Sequence, residues 1–189
     1  MEIKSIDYRL STTLVTPYTT TTLPSINNGY YGYQRIGNSI SINRIDMNLF
    51  AMVTDTQAFD NNRAAIYWII LLVDKQVSPT ADALLDVTST GTTDKNYMPM
   101  INPYLSDRYE ILYKKVFAVS TSTPKAELVS IPVNIIQSYS GNTIKTNALQ
   151  VLYAPVLDSP ASVSFSMFGN VRIYYTDIEL KSCGDYAMS

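Results

Sequence analysis

The sequence contains no histidine and a single cysteine, Cys183. Without histidine the commonest general base and the commonest metal ligand are gone, and so is any serine or cysteine nucleophile that a histidine would activate. One cysteine excludes an intrachain disulfide and a structural zinc site, and leaves Cys183 as a free thiol in the tail. Charge is also scarce, at 16% of residues against the usual ~25%. Its balance of −2 argues against a protein whose whole surface binds nucleic acid, while leaving a local basic patch open. No long hydrophobic run exists. The most apolar stretch, Ala64 to Val73, has ten residues, about half of the roughly 20 that a membrane-spanning helix needs. No basic start leads into an apolar segment, so no signal peptide is expected. No Asn-x-Ser/Thr acceptor occurs, and no repeat is visible at the periods of roughly 20–50 residues that mark solenoids and propellers.

What the chain does have is threonine, serine, asparagine and fifteen tyrosines. Such a surface suits burial against other copies of the chain, and it equally suits an ordinary β-protein with Thr and Tyr at strand positions. At 189 residues a single domain spanning 1–189 is expected, with a polar tail from about residue 181. A chain of this length buries about 70% of its unfolded surface and folds without disulfides or metals.

The stretch from Arg63 to Val119 is the expected centre. Ala64 to Val73 is uncharged and rich in Ile, Tyr and Trp, which predicts a strand buried on both faces. Tyr109, Ile111, Tyr113, Phe117 and Val119 alternate and predict a second strand with these five on one face. Further strands are predicted near the start (2–10) and over Ser39 to Val53. In the latter the apolar phase slips between Ile42 and Ile45, as a β-bulge at Asn43-Arg44 produces. Ala126 to Gln137 alternates cleanly, and Pro132 within it places that strand at a sheet edge. Ser140-Gly-Asn-Thr reads as a turn. Leu149 to Ala154, ended by Pro155, is another strand. Residues 163 to 175 keep one apolar phase across Gly169, as two strands or as one bent strand. Residues 16 to 32, including the Thr19–Thr22 run, read as a connection. Thr54 to Asn62 reads as a loop, and 77 to 107 as a long loop with one possible helical turn at Asp82 to Asp86. Seven or eight strands with no strand–helix alternation predict an all-β, antiparallel sandwich of Greek-key or jelly-roll type.

Four groups recur in order: Glu2-x-Lys4-x-x-Asp7; Gln34-Arg35-Ile36-Gly37-Asn38-x-Ile40-x-Ile42; Arg63 before an apolar strand ending Asp74-Lys75-Gln76; and Asp107-Arg108-Tyr109-x-Ile111-Leu112. In this the chain resembles the single-jelly-roll capsid proteins of small circular Rep-encoding single-stranded DNA viruses. It is similar also to the capsid proteins of the satellite necrosis viruses of plants. The resemblance runs from residue 2 to about residue 180. It implies an eight-stranded jelly roll and a T=1 icosahedral shell of about sixty copies closed by symmetric contacts around the genome. It implies a virion location and assembly in the host cell, without membrane insertion, catalysis or cofactor. Arg35, Gly37, Arg63, Asp74, Asp107 and Arg108 would be structural motif residues. These capsid proteins usually begin with a basic arm that neutralises nucleic acid. Here Glu2-Ile-Lys-Ser-Ile-Asp7 stands at the start, so genome contact by this chain is a weaker expectation than shell formation.

The basic residues Lys4, Arg9, Arg35, Arg44, Lys114 and Lys115 form the expected nucleic-acid set, against the plainer reading of solvated strand positions and salt bridges. Tyr30, Tyr31 and Tyr33 would stack on bases, or pack at a subunit contact or on the sheet. Asp55 and Asp60 are weak calcium candidates. Asp82 and Asp86 would pair as acid and base, although an exposed loop explains them better. Arg63 and Asp74 read as charges flanking the apolar strand. Two other functions fit a sandwich of this kind: a carbohydrate- or ligand-binding module using the tyrosine-rich loop, and a glycosidase, which needs two facing carboxylates that no spacing here supplies.

Overall fold

A computed structural model describes residues 2–13, 19–53, 65–77, 107–119, 124–156 and 165–178. Its strands are β1 (Lys4–Thr13), β2 (Thr19–Thr22), β3 (Ser39–Val53), β4 (Ala65–Asp74), β5 (Tyr109–Val119), β6 (Lys125–Ser140), β7 (Thr143–Thr146), β8 (Ala148–Val156) and β9 (Phe165–Asp177). No helix among the described residues is long and apolar enough to cross a membrane.

The strands form two antiparallel sheets, ordered β1-β9-β3-β6-β7 and β2-β8-β4-β5. Asn147, at a positive φ of 58°, separates β7 from β8, so these two are halves of one strand that leaves the larger sheet and enters the smaller. Counted that way, the described residues wind eight strands into two four-stranded sheets, each built from strands distant in sequence. That is the strand order of a jelly roll. The core between the sheets draws on every strand except β2, from Tyr8 and Leu10 on β1 to Val171, Ile173 and Tyr175 on β9.

β4 shows why its sequence carries no charge before Asp74. Tyr67, Ile69, Leu71 and Val73 join the core. Trp68, Ile70 and Leu72, on the opposite face, are buried as well. In β3 the ladders to both β6 and β9 shift between Ile42 and Arg44. This bulge lets Ile40 and Ile42 share the core with Ile45, Met47 and Leu49. Pro132 lies opposite Arg44 on β3. Among the described residues β7 pairs only with Ser138–Ser140 and nothing pairs β6 beyond it, so β6 is an edge there at Pro132, where a missing N–H is tolerated.

Three expectations change, and one open reading is resolved. Thr19–Thr22 is a strand paired with Gln150–Tyr153 of β8; β-branched threonines suit a pleated edge without any apolar alternation to announce it. β8 continues through Pro155, opposite Tyr67. The alternation of β5 breaks between the partners of Leu71 and Leu72. This bulge keeps Tyr113, Phe117 and Val119 on the core side and turns Tyr109 and Ile111 to the other face, where Ile111 is exposed. Residues 165–177 are one continuous strand. The loop at 54–62, the helical turn at 82–86 and the tail lie outside the described residues.

Gly169 explains how β9 stays continuous. A Cβ there would sit 2.6 Å from the Asn48 carbonyl oxygen and 3.0 Å from Leu49 Cδ2, so any side chain forces β3 and β9 apart. Gly169→Ala is expected to cost about 2 kcal/mol, the range of an overpacked core site, read as a lowered urea midpoint with an unchanged slope.

Candidate functional site

Several residues singled out in the sequence form the frame. Arg35 is fully buried. Its Nε donates to the Ile26 carbonyl at 2.9 Å, and its two terminal nitrogens donate to the carbonyls of Gly37 and Gly141. Its guanidinium lies 4.1 Å from the centre of the Tyr139 ring. Gly37 adopts a φ of 83°, a left-handed conformation suited to glycine. Lys4 is buried, pairs with Asp177 at 2.7 Å and donates to the Gln34 carbonyl. Asp74, fully buried, takes both Nε and Nη2 of Arg108 at 2.8 Å. Asp107 is exposed in the turn before β5, and Arg63 lies outside the described residues.

The six basic residues therefore do not make one cluster. The charged ends of Lys4 and Arg35 are engaged inside the protein, so these two correct the nucleic-acid expectation: a phosphate cannot reach a guanidinium wrapped in three carbonyls. Lys115 pairs with Glu127, joined by the Tyr113 hydroxyl, where β5 meets the β6 edge. Glu127 is held below the usual carboxylate range by the hydrogen bond from Lys115. Lys114 lies opposite Ile70 on β4. Arg9 and Arg44 remain, on β1 and β3, both facing away from the core.

They share the outer face of the larger sheet. The ladders place four cross-strand rows there: Ser5–Tyr174–Arg44–Pro132, then Asp7–Arg172–Asp46–Ser130, then Arg9–Asn170–Asn48–Leu128, then Phe168–Phe50–Ala126. Same-face rows stand about 7 Å apart, two residues along the strand. In the first two rows the charges are satisfied locally. Arg172 holds Asp7 with two bonds of 2.6 and 2.7 Å. This keeps the Asp7 carboxyl below its ordinary range. Arg44 reaches Asp46 at 3.3 Å and lies 3.8 Å over the Tyr174 ring, and Ser130 donates to Asp46 at 2.6 Å. The next two rows differ. Among the described residues no ion pair holds Arg9, and Asn48, Asn170, Phe50 and Phe168 are exposed. A depression of about 430 Å³ lined by Arg9, Asn48, Phe50, Phe168 and Asn170 forms a trough over these two rows, and through Asn48 and Asn170 it adjoins a second, of about 560 Å³, that lies over the charged Asp7–Arg172–Asp46–Ser130 row.

Sequence reading missed Phe50, Phe168, Asn48 and Asn170. The signal was present: both phenylalanines occupy the outward parity of strands whose inward parity is already filled with Ile, Met, Leu and Val. Tyr30, Tyr31 and Tyr33 are exposed rather than packed on the sheet, with the Tyr31 and Tyr33 rings stacked at 5.9 Å. Asp55, Asp60, Asp82, Asp86 and Cys183 lie outside the described residues. Among the described residues no group of acidic or thiol side chains is placed to hold a metal ion.

No protein-family model matches the chain, and no curated protein does. Among solved structures it is similar to a chain from the structure of infectious bursal disease virus Gx strain, at 14% identity and a TM-score of 0.36. That match covers 92% of this chain and 32% of that one. It is also similar to the decameric BFDV capsid protein, at 9% identity and a TM-score of 0.37, covering 93% of this chain and all of that one. The chain thus spans about a third of the first of these. At such TM-scores neither likeness bears weight beside the strand order itself.

Proposed function

We propose that the chain is a viral capsid protein of one domain, residues 1–189. Its jelly roll self-assembles into a T=1 icosahedral shell of about sixty copies enclosing a single-stranded nucleic acid genome in the virion. The observation that carries the reading is the strand order, in which two four-stranded sheets are wound as a jelly roll, an architecture that capsid proteins share with lectins. Two further features favour the shell. The described side chains between the sheets pack into one apolar cluster. Large apolar side chains also stand exposed at separate places: Ile3, Tyr31 and Ile36 near the β3 start, Leu128 and Ile136 on β6, and Ile111 on β5. A shell needs several contacts per copy, each burying about 1,600 Å², and dispersed apolar positions suit that better than the single patch of a monomeric binder. Catalysis has no part in this function.

A carbohydrate-binding module remains the second reading, favoured by the exposure of Tyr30, Tyr31 and Tyr33. Negative-stain images of the purified chain separate the two. Uniform closed shells are expected; a field of single small molecules under all salt conditions would favour the module.

A further inference from the structure

The trough on the outer face of the larger sheet has a chemistry that shell contacts do not require. Two phenylalanines, Phe50 and Phe168, are direct neighbours across the β3–β9 ladder and stand 39% and 36% exposed. One row away Asn48 and Asn170 face each other across the same ladder, and Arg9 completes that row on β1. Exposed aromatic rings on a sheet face offer flat stacking surfaces. Each amide offers two donors and one acceptor. Arg9 offers a planar fork for a phosphate. Leu128 closes the row at the β6 edge.

We propose that this trough binds single-stranded nucleic acid, with bases stacked on Phe50 and Phe168, base edges met by Asn48 and Asn170, and a phosphate held by Arg9. The proposal rests on the capsid reading for its biological sense, although its chemistry stands on the sheet alone. The charges dictate how such binding behaves. Arg172 and Arg44 are occupied by Asp7 and Asp46, so only Arg9 carries uncompensated charge in the two binding rows. Affinity then comes mainly from stacking. The logarithm of the binding constant should fall with the logarithm of salt at a slope of about −0.7, the value for one phosphate contact on a single strand. An electrostatic arm would give a slope several times steeper.

The test is polarisation of a fluorescein-labelled oligothymidylate with the purified chain across a salt series, alongside sedimentation of the same samples. Phe50→Ala and Phe168→Ala are each expected to weaken binding about tenfold or more. Phe168→Leu keeps apolar bulk without a ring face and should weaken it similarly, which covers the event that an alanine variant folds poorly. Arg9→Gln should remove most of the salt dependence. Wild-type affinity in the phenylalanine variants overturns the proposal. Displacement of the oligonucleotide by inorganic polyphosphate as readily as by unlabelled oligothymidylate would show plain charge binding, and displacement by maltohexaose would show a glycan site; either overturns it. Shells without oligonucleotide binding would defeat the trough and spare the capsid reading. Binding by a chain that never assembles would do the reverse.

Discussion

Arg35→Met is expected to destabilise the fold by about 4 kcal/mol, a large fraction of the roughly 5–15 kcal/mol that a domain has. The methionine fills similar space but leaves the buried bond to the Ile26 carbonyl and the part-buried ones to Gly37 and Gly141 unmade, at about 1–3 kcal/mol for a buried unsatisfied group and less for one that water reaches. It also removes the cation from the face of Tyr139, whose hydroxyl burial pushes its pKa up to about 12. The arginine ties the connection before β3 to the β6–β7 turn, two segments 106 residues apart that share no sheet ladder. Arg35→Lys should recover less than half of the loss, because an ammonium cannot address three divergent carbonyls as a planar fork does. Urea unfolding of the three proteins reads the difference. A loss below about 1 kcal/mol for Arg35→Met would mean that water replaces the guanidinium freely and that the buried bonds are not what holds this corner.

Asp74→Ala is expected to cost a comparable 3–5 kcal/mol, the usual penalty for breaking one side of a buried ion pair. The carboxylate accepts two bonds from Arg108 and one each from the backbone N–H groups of Gln76 and Val77. Val77 has a φ of 44°, a left-handed conformation costly for a β-branched residue, and the bond to Asp74 helps hold it there. The same carboxylate gives a pH signature. Burial alone would raise its pKa, but the hydrogen bonds from Arg108 and Gln76 outweigh burial and set it below the ordinary value of 3.8. The unfolded chain therefore binds this proton at a higher pH than the folded one. The stability that Asp74 contributes is complete above about pH 4 and is lost as pH falls through the folded pKa. Melting temperatures measured from pH 5 down to pH 2 should fall for the wild type and fall less for Asp74→Asn. Parallel curves would show that Asp74 is not a source of the acid sensitivity.

How much of this was legible in the sequence depended on whether a structural feature disturbs the apolar phase. The β3 bulge was readable because Ile40 and Ile42 change parity with Ile45 and Met47 across the polar Asn43-Arg44. The β5 bulge was not, because Leu112 and Tyr113 are both apolar and either continues the pattern. The double burial of β4 followed from its lack of charge, and the edge position of β6 from Pro132. The Thr19–Thr22 strand carried no pattern at all. Gly169 marked an interruption in sequence, yet in the sheet it permits continuity, since it is the close approach of β3 that forbids a side chain there. Of the candidate site, the sequence supplied Arg9 and Arg44 but grouped them with Lys4 and Arg35. A lone arginine in a Gly- and Tyr-rich connection carries no mark of burial; only the three carbonyls that converge on it do. Phe50 and Phe168 passed as ordinary strand residues although their parity marked them as outward; what only the ladder register supplies is that they stand side by side.

The central claim is that this jelly roll closes into a shell. Sedimentation velocity of the purified chain at neutral pH, over a range of protein concentrations, tests it most directly. The account predicts two boundaries, one of single chains and one of a uniform particle of several tens of copies, with the particle fraction rising sharply with concentration and little between them. A single slow boundary at every concentration, in low and high salt and with or without calcium, would contradict it.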